Sequence, residues 1–283
     1  MTGSLVVGVG RRGRLHIETI LRRGDERLFP VLALDRDPPP RSAYLLDHPA
    51  VKFVTKEQAY RLLDRINLAV IATPPEAHWE YLAQLAAQVP KVLVEKPAVA
   101  DRGELAAVSL MSREEVGRVY VGYSERHNPA ATATRRSLSV LVRKATVAIN
   151  FLRVRPPPPA GCNSDVGQEL AVHDLDFVLN DLIAGPAMEH QITRSDQGIR
   201  ICIAAPSGHR FSIEAYWWPD VEETTARVCF DQDRAAVYRL QKPGRASRLA
   251  ALNLQLERVR NSSTPSSDLD RELRTLGMLY GYH

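Results

Sequence analysis

The sequence has 283 residues, 45% of them hydrophobic and 25% charged, with a formal net charge of +4. That length allows one large or two medium domains with a buried core, and the composition is neither disordered nor fibrous. The densest basic clusters, "RRGR" and "TRRSL", lack interleaved aromatics, so the charge does not describe a nucleic-acid surface. No apolar run approaches the roughly 20 residues of a membrane span. Cys162, Cys202 and Cys229 are widely spaced, which argues against a disulfide framework and against structural zinc. The chain runs straight into a strand without a signal peptide, so the expected location is cytoplasmic.

Short β-like runs alternate with helical stretches up to residue 122. Strands are predicted at Leu5–Val9, Val31–Asp35, Val51–Val54, Leu68–Thr73, Val92–Glu95 and Val119–Gly122. Helices are predicted at Arg14–Arg23, Lys56–Asp64, Glu76–Gln88 and Asp101–Glu115. Uninterrupted apolar runs such as "LAVIAT" suit strands buried on both faces, so the pattern predicts βαβ units and a parallel sheet.

Beyond residue 122 the texture changes. "NPAATATRRSLSVLV" reads as a bridging helix, Ala145–Val154 as a strand, and "RPPPPAGC" as a stiff polyproline-like loop. A helix over Gly167–Ile183 leads into strands Glu189–Ser195, Ile199–Ala204, Arg210–Trp217, Ala226–Asp231 and Ala235–Leu240. With no helices between them, these predict a largely antiparallel, open-faced sheet. Helices at Arg245–Val259 and Leu269–Leu279 complete the chain. The expected organisation is an α/β Rossmann domain over 1–122, an α+β domain over 123–283, and a cleft between them.

Gly8, Gly10 and Gly13 lie between the first strand and the first helix, and Asp35 ends the second strand. In a Rossmann turn the first glycine makes the corner, the second admits the pyrophosphate and the third lets helix pack on strand. The acid accepts from the adenosine ribose. A dinucleotide site is therefore expected. Asp35 favours NAD, while Arg36, Arg11 or Arg12 could pair with a 2′-phosphate, so NADP stays open.

"VLVEKP" ends the fifth strand at the edge where open sheets bind ligands, and proline restricts the backbone at Lys96. In "GQELAVHDLDFVLNDL" an α-helix puts Glu169 and His173 one turn apart, with Asp176 three residues on. No second histidine stands at ligand spacing, so no metal is expected.

These pieces, with "IATPPEAH", "EKP", "GYSERHNPA" and "HDLD", resemble the Gfo/Idh/MocA oxidoreductases. The resemblance implies that Ala72, Thr73 and Pro74 line the nicotinamide side, with His78 behind them. It implies that Glu95 and Lys96 form the EKP motif, the lysine reaching substrate hydroxyl and nicotinamide ribose. His173 then matches the histidine that carries the proton, and Arg126 and Asn128 match positions connecting cofactor and substrate. Where the family usually has aspartate, this chain has Glu169.

The implied activity is hydride transfer between NAD(P) and a carbinol or carbonyl carbon of a sugar, cyclitol or related polar metabolite. Lys96, His173 and Glu169 are the catalytic candidates. Imine reduction on the same fold, or dinucleotide binding without turnover, are the alternatives. The resemblance, with apolar side chains expected on the open sheet face, also implies a homodimer or homotetramer.

Overall fold

The computed structural model describes residues 3–37, 47–158, 165–183, 185, 189–231, 234–239 and 245–280. Two compact units emerge, Met1–Ser124 with Arg245–Leu273, and Glu125–Gly244 with Arg274–His283. This differs from the division read from the sequence, because the chain returns to the first unit after residue 244. Long-range packing, which leaves no local pattern, is the reason.

The first unit holds strands β1 (Gly3–Val7), β2 (Val31–Leu34), β3 (Val51–Phe53), β4 (Ile66–Ile71), β5 (Val92–Val94) and β6 (Val119–Val121). They pair in parallel in the order β3-β2-β1-β4-β5-β6, which is the doubly wound Rossmann order. Every residue of β1, β2, β5 and β6 is buried, as the apolar runs require of strands covered on both faces.

Helix α1 (Arg11–Arg23) ends on Gly24 in the left-handed region, φ 62°, whose N–H caps Leu21 O. Helix α2 (Lys56–Tyr60) starts on a Thr55/Gln58 capping box, and α3 (His78–Gln88) follows a turn over Pro75–Ala77. The single helix expected over Asp101–Glu115 is two, α4 (Arg102–Val108) and α5 (Arg113–Arg118). Ser112 and Glu115 form a second capping box that restarts the chain.

The second unit begins with α6 (Pro129–Lys144) and a sheet of β7 (Ala148–Arg155), β8 (Glu189–Arg194), β9 (Gly198–Ala204), β10 (Arg210–Trp217), β11 (Glu223–Asp231) and β12 (Arg234–Arg239). The sheet order is β12-β11-β7-β10-β9-β8. It is antiparallel throughout except for β7 and β10, which run parallel from Ala148↔Arg210 to Arg155↔Trp217.

Alternation settles which face is apolar. Ile149, Phe151, Ile201, Phe211, Ile213 and Val228 are buried on one face. Arg210, Ser212, Glu214, Arg227 and Cys229 alternate with them on the other. The face expected to be apolar from "RFSIEAYWW" and "ARVCFD" is mixed: Phe211, Ile213, Ala226 and Val228 point into the core, while Leu152, Tyr216 and the exposed Val237 share the outer face with those polar residues.

The helix expected over Gly167–Ile183 is α7 (Val172–Phe177) between two π turns, Gly167–Ala171 and Val178–Leu182. Each closes with an i→i+5 bond, Val172 N–H to Gly167 O and Ile183 N–H to Val178 O. The polyproline-like loop is described only to residue 158; its remainder and Cys162 lie outside the described residues.

Helix α8 (Arg245–Asn261) buries Leu256 and Val259 in the first unit's core beside Ile17 and Ile20 of α1. Lys91 Nζ ties its end by donating to the carbonyls of Val259, Arg260 and Ser262 at 2.6–3.0 Å. Helix α9 (Asp268–Tyr280) is the last element. No helix among the described residues is long and apolar enough to cross a membrane.

Candidate active site

The glycine turn lies where the strand order reverses, between the carboxyl ends of β1 and β4. Each glycine is required for a different reason. Gly8 has φ 85°, and a Cβ there would stand 2.7 Å from the Ala72 carbonyl and Thr73 N. At Gly13 a Cβ would be 1.8 Å from Gly8 O. At Gly10 it would meet nothing within 4 Å. That opening sits at the start of α1, which has no side-chain cap and no acid in its first turn. Free N–H groups at a helix start beside an open backbone suit a pyrophosphate.

Asp35 follows β2. Its carboxylate accepts from Val9 N–H at 2.5 Å and from Asp37 N–H at 3.1 Å, fixing it beside the turn. A carboxylate has about four acceptor sites, so it can also take a ribose hydroxyl. Arg36 is exposed and paired with Asp37 at 3.1 Å, and Arg11 is exposed. Arg12 turns inward, its Nε 2.9 Å from Glu95 Oε1 and its Nη2 donating to Ser124 Oγ at 3.2 Å. Thr73 Oγ1 is enclosed and has no hydrogen-bond partner among the described residues.

Lys96 sits in a segment anchored on both sides. Before it, Glu95 N–H donates to Ile71 O at 2.9 Å, and the Glu95 carboxylate lies 2.7 Å from His16 Nε2. Burial pushes the Glu95 carboxyl up, but Arg12 and His16 more than reverse this and bring it to about 2. After it, Pro97 O faces His78 Nδ1 at 2.7 Å, and Ala98 N–H donates to Glu272 of α9 at 2.9 Å. Tyr123 hydroxyl donates to the other oxygen of Glu272. Ala72 and Pro74 continue from β4, and His78 Nε2 lies 2.8 Å from Thr73 O.

In the second unit, His173 is buried on α7, and its two neighbouring aspartates are each gripped by an arginine. Arg153 donates to Asp174 through Nε at 2.5 Å and Nη2 at 2.8 Å, and to Glu125 through Nη1 and Nη2 at 2.9 Å. Arg126 forks onto Asp176 at 2.9 and 2.6 Å, and Asn180 adds a bond to Asp176 at 3.0 Å. Arg135 donates to His173 O at 3.1 Å with its guanidinium 4.8 Å above the Phe177 ring. Burial raises the Glu125 carboxyl, yet Arg153 and then His173 take it well below its ordinary value. Glu169 lies in the π turn, so its spacing to His173 is not that of one regular α-turn.

The structure therefore gathers Gly8, Gly10, Gly13, Arg12, Asp35, Ala72, Thr73, Pro74, His78, Glu95 and Lys96 in the first unit, and Arg126, Glu169 and His173 in the second. Sequence reasoning missed Glu125, Arg135 and Arg153. One signal was available for Arg153, which shares the apolar face of its strand with Ile149 and Phe151.

Residues 3–123 match a family model described as "Oxidoreductase family, NAD-binding Rossmann fold". By these residues, the first unit carries the NAD-binding domain of the Gfo/Idh/MocA oxidoreductases. The parallel sheet of the first unit, in the order β3-β2-β1-β4-β5-β6, is the Rossmann fold that this model describes. A protein of Amycolatopsis mediterranei (strain S699), assigned by name as a UDP-kanosamine synthase oxidoreductase subunit, is 30% identical over 199 residues. The match takes in 66% of this chain, which spans about half (53%) of that relative's length.

The fold also matches the myo-inositol dehydrogenase of Corynebacterium glutamicum, with a TM-score of 0.76 and 16% identity, covering 100% of this chain and 96% of that one. The WlbA dehydrogenase of Thermus thermophilus, solved with NAD and UDP-GlcNAcA, matches with a TM-score of 0.73 and 18% identity, over 99% and 95% of the two chains. At these identities the structural likeness carries the fold alone.

Proposed function

We propose that the protein is an NAD(H)-dependent dehydrogenase. Its substrate would be a sugar, cyclitol or related polar metabolite, oxidised or reduced at a carbinol or carbonyl carbon. The carrying observation is the glycine turn: the protein leaves Gly10 open while its own backbone fills the space at Gly8 and Gly13. With the uncapped start of α1 and the Asp35 carboxylate, these residues fit NAD. Bound there, NAD supplies the hydride chemistry at nicotinamide C4.

The chain's part is to place the substrate and move its hydroxyl proton. Lys96 is the proposed carrier, because three anchors around it fix its backbone while its own residue stays half-buried. His173 is the second, held on a helix whose flanking aspartates are clamped. Glu169 is proposed as the carboxylate orienting His173. The relatives' names include inositol and UDP-linked sugars, which supports testing both classes.

The experiment is NADH absorbance on mixing the protein and NAD with myo-inositol, free sugars and UDP-sugars, and NADH with their keto forms. Turnover on one class is expected. If NAD(H) shifts the melting temperature and no class reacts, the protein binds the dinucleotide without this chemistry. We propose a homodimer or homotetramer on the resemblance; the exposed Val237 and half-buried Leu152 and Tyr216 on the outer face of the second sheet are compatible with it.

A further inference from the structure

His78 stands between two loops with a carbonyl on each side. Its Nδ1 lies 2.7 Å from Pro97 O and its Nε2 2.8 Å from Thr73 O, and the residue is 1% exposed. Both partners only accept, so both contacts need a donated N–H. A neutral imidazole has one. It satisfies one loop and turns a nitrogen lone pair toward the carbonyl oxygen of the other, whereas the imidazolium satisfies both. The two loops are the one leaving β4 and the one carrying Lys96.

We propose that His78 is a positioning residue whose second proton closes a clasp. As the imidazolium it holds both carbonyls and fixes the Lys96–Pro97 segment against the Thr73–Pro74 loop; as the neutral ring it holds one loop and releases the other. Burial pushes the ring below its ordinary value, while the two carbonyls and the carboxylates of Glu95, at the end of β5, and Glu76, in the turn before α3, push back. The clasp therefore closes on acidification, below the usual range of a histidine. Of the other anchors of Lys96, the Glu95 carboxyl is held far below neutral by Arg12 and His16.

The clasp does not depend on the proposed function; its consequence for turnover does, through Lys96. Ring ¹⁵N spectra with His78 assigned by triple resonance, followed from about pH 5 to 8 without ligand, test the clasp directly. Both nitrogens protonated at the acid end and one at the alkaline end are expected, with a midpoint below about 6.5. The Thr73 and Ala98 amides should shift with the same midpoint. One fixed tautomer throughout, or amides that ignore the titration, overturns the clasp.

His78→Gln keeps an amide donor without a titrating proton. Its NADH affinity should fall roughly two- to tenfold below wild type, the worth of about one hydrogen bond, with the ratio widening as pH drops through the midpoint. A ratio constant with pH overturns the positioning role. If neither protein binds NADH the proposed function fails instead, and the ring spectra still decide the clasp. They do so too if His78→Gln does not fold.

Discussion

At the scale of single residues, the glycines separate folding from binding. A Cβ at Gly13 would collide with Gly8 O, so Gly13→Ala should destabilise the protein by at least the ~1–3 kcal/mol of an overpacked core site. Gly10 has φ −65° and open space, so Gly10→Ala should keep the wild-type melting temperature. It should nevertheless weaken NADH at least roughly tenfold, because the methyl stands where the pyrophosphate must approach. Melting curves with NADH titrations read both effects, and Gly10→Ala with unchanged affinity would place the dinucleotide elsewhere.

Glu95 makes the second prediction. Burial works against its charge, but Arg12 and His16 hold the folded carboxyl at about 2, against 4.5 as the ordinary value. A depressed acid contributes stability that is complete above the unfolded value and is lost as pH falls toward the folded one. Glu95 should therefore supply about 3 kcal/mol at neutral pH, fading between roughly pH 4.5 and 2. Glu95→Gln should lose that amount at neutral pH and show a flatter acid limb in urea unfolding. An unchanged limb would mean that the ion pairs do not hold the loop.

At the scale of elements, α7 is mounted by arginines rather than by apolar packing alone. Arg153→Met would leave Asp174 and Glu125 without their bidentate partner inside the second unit, a change of the kind that costs about 3–5 kcal/mol. A melting temperature within a degree or two of wild type would show that the clamp contributes little.

The strand-rich regions were legible because period and composition agree. The apolar runs within β1, β2 and β5 announced a parallel sheet, and the alternation in β10 matched its observed span, Arg210–Trp217. The same alternation carried the inward face, whereas the mixed outer face, with Leu152, Tyr216 and Val237 among charged residues, needed the strand register to be read. The π turns around α7 were hidden, since an apolar pattern over Gly167–Ile183 fits either helix period. The return of α8 was hidden for another reason: Leu256 and Val259 announce a buried face without naming what buries it. Gly8, Gly13 and Lys96 could be read locally. His78 was reached through the resemblance, but the anchors His16 and Glu272 come from distant segments and could not be.

At the scale of the whole molecule, the resemblance carries an oligomer and the described surface leaves it to measurement. Light scattering should return at least twice the 31.5 kDa chain mass, and a monomer at working concentration would remove that proposal. The central claim is that Lys96 moves a proton for hydride transfer at the NAD site. The direct measurement is turnover and NADH affinity in Lys96→Ala, on whichever substrate class reacts. Turnover should fall by roughly two to four orders of magnitude, the usual worth of acid–base help with substrate positioning, while NADH affinity changes little. Turnover equal to wild type, with NADH bound as expected, would contradict the account.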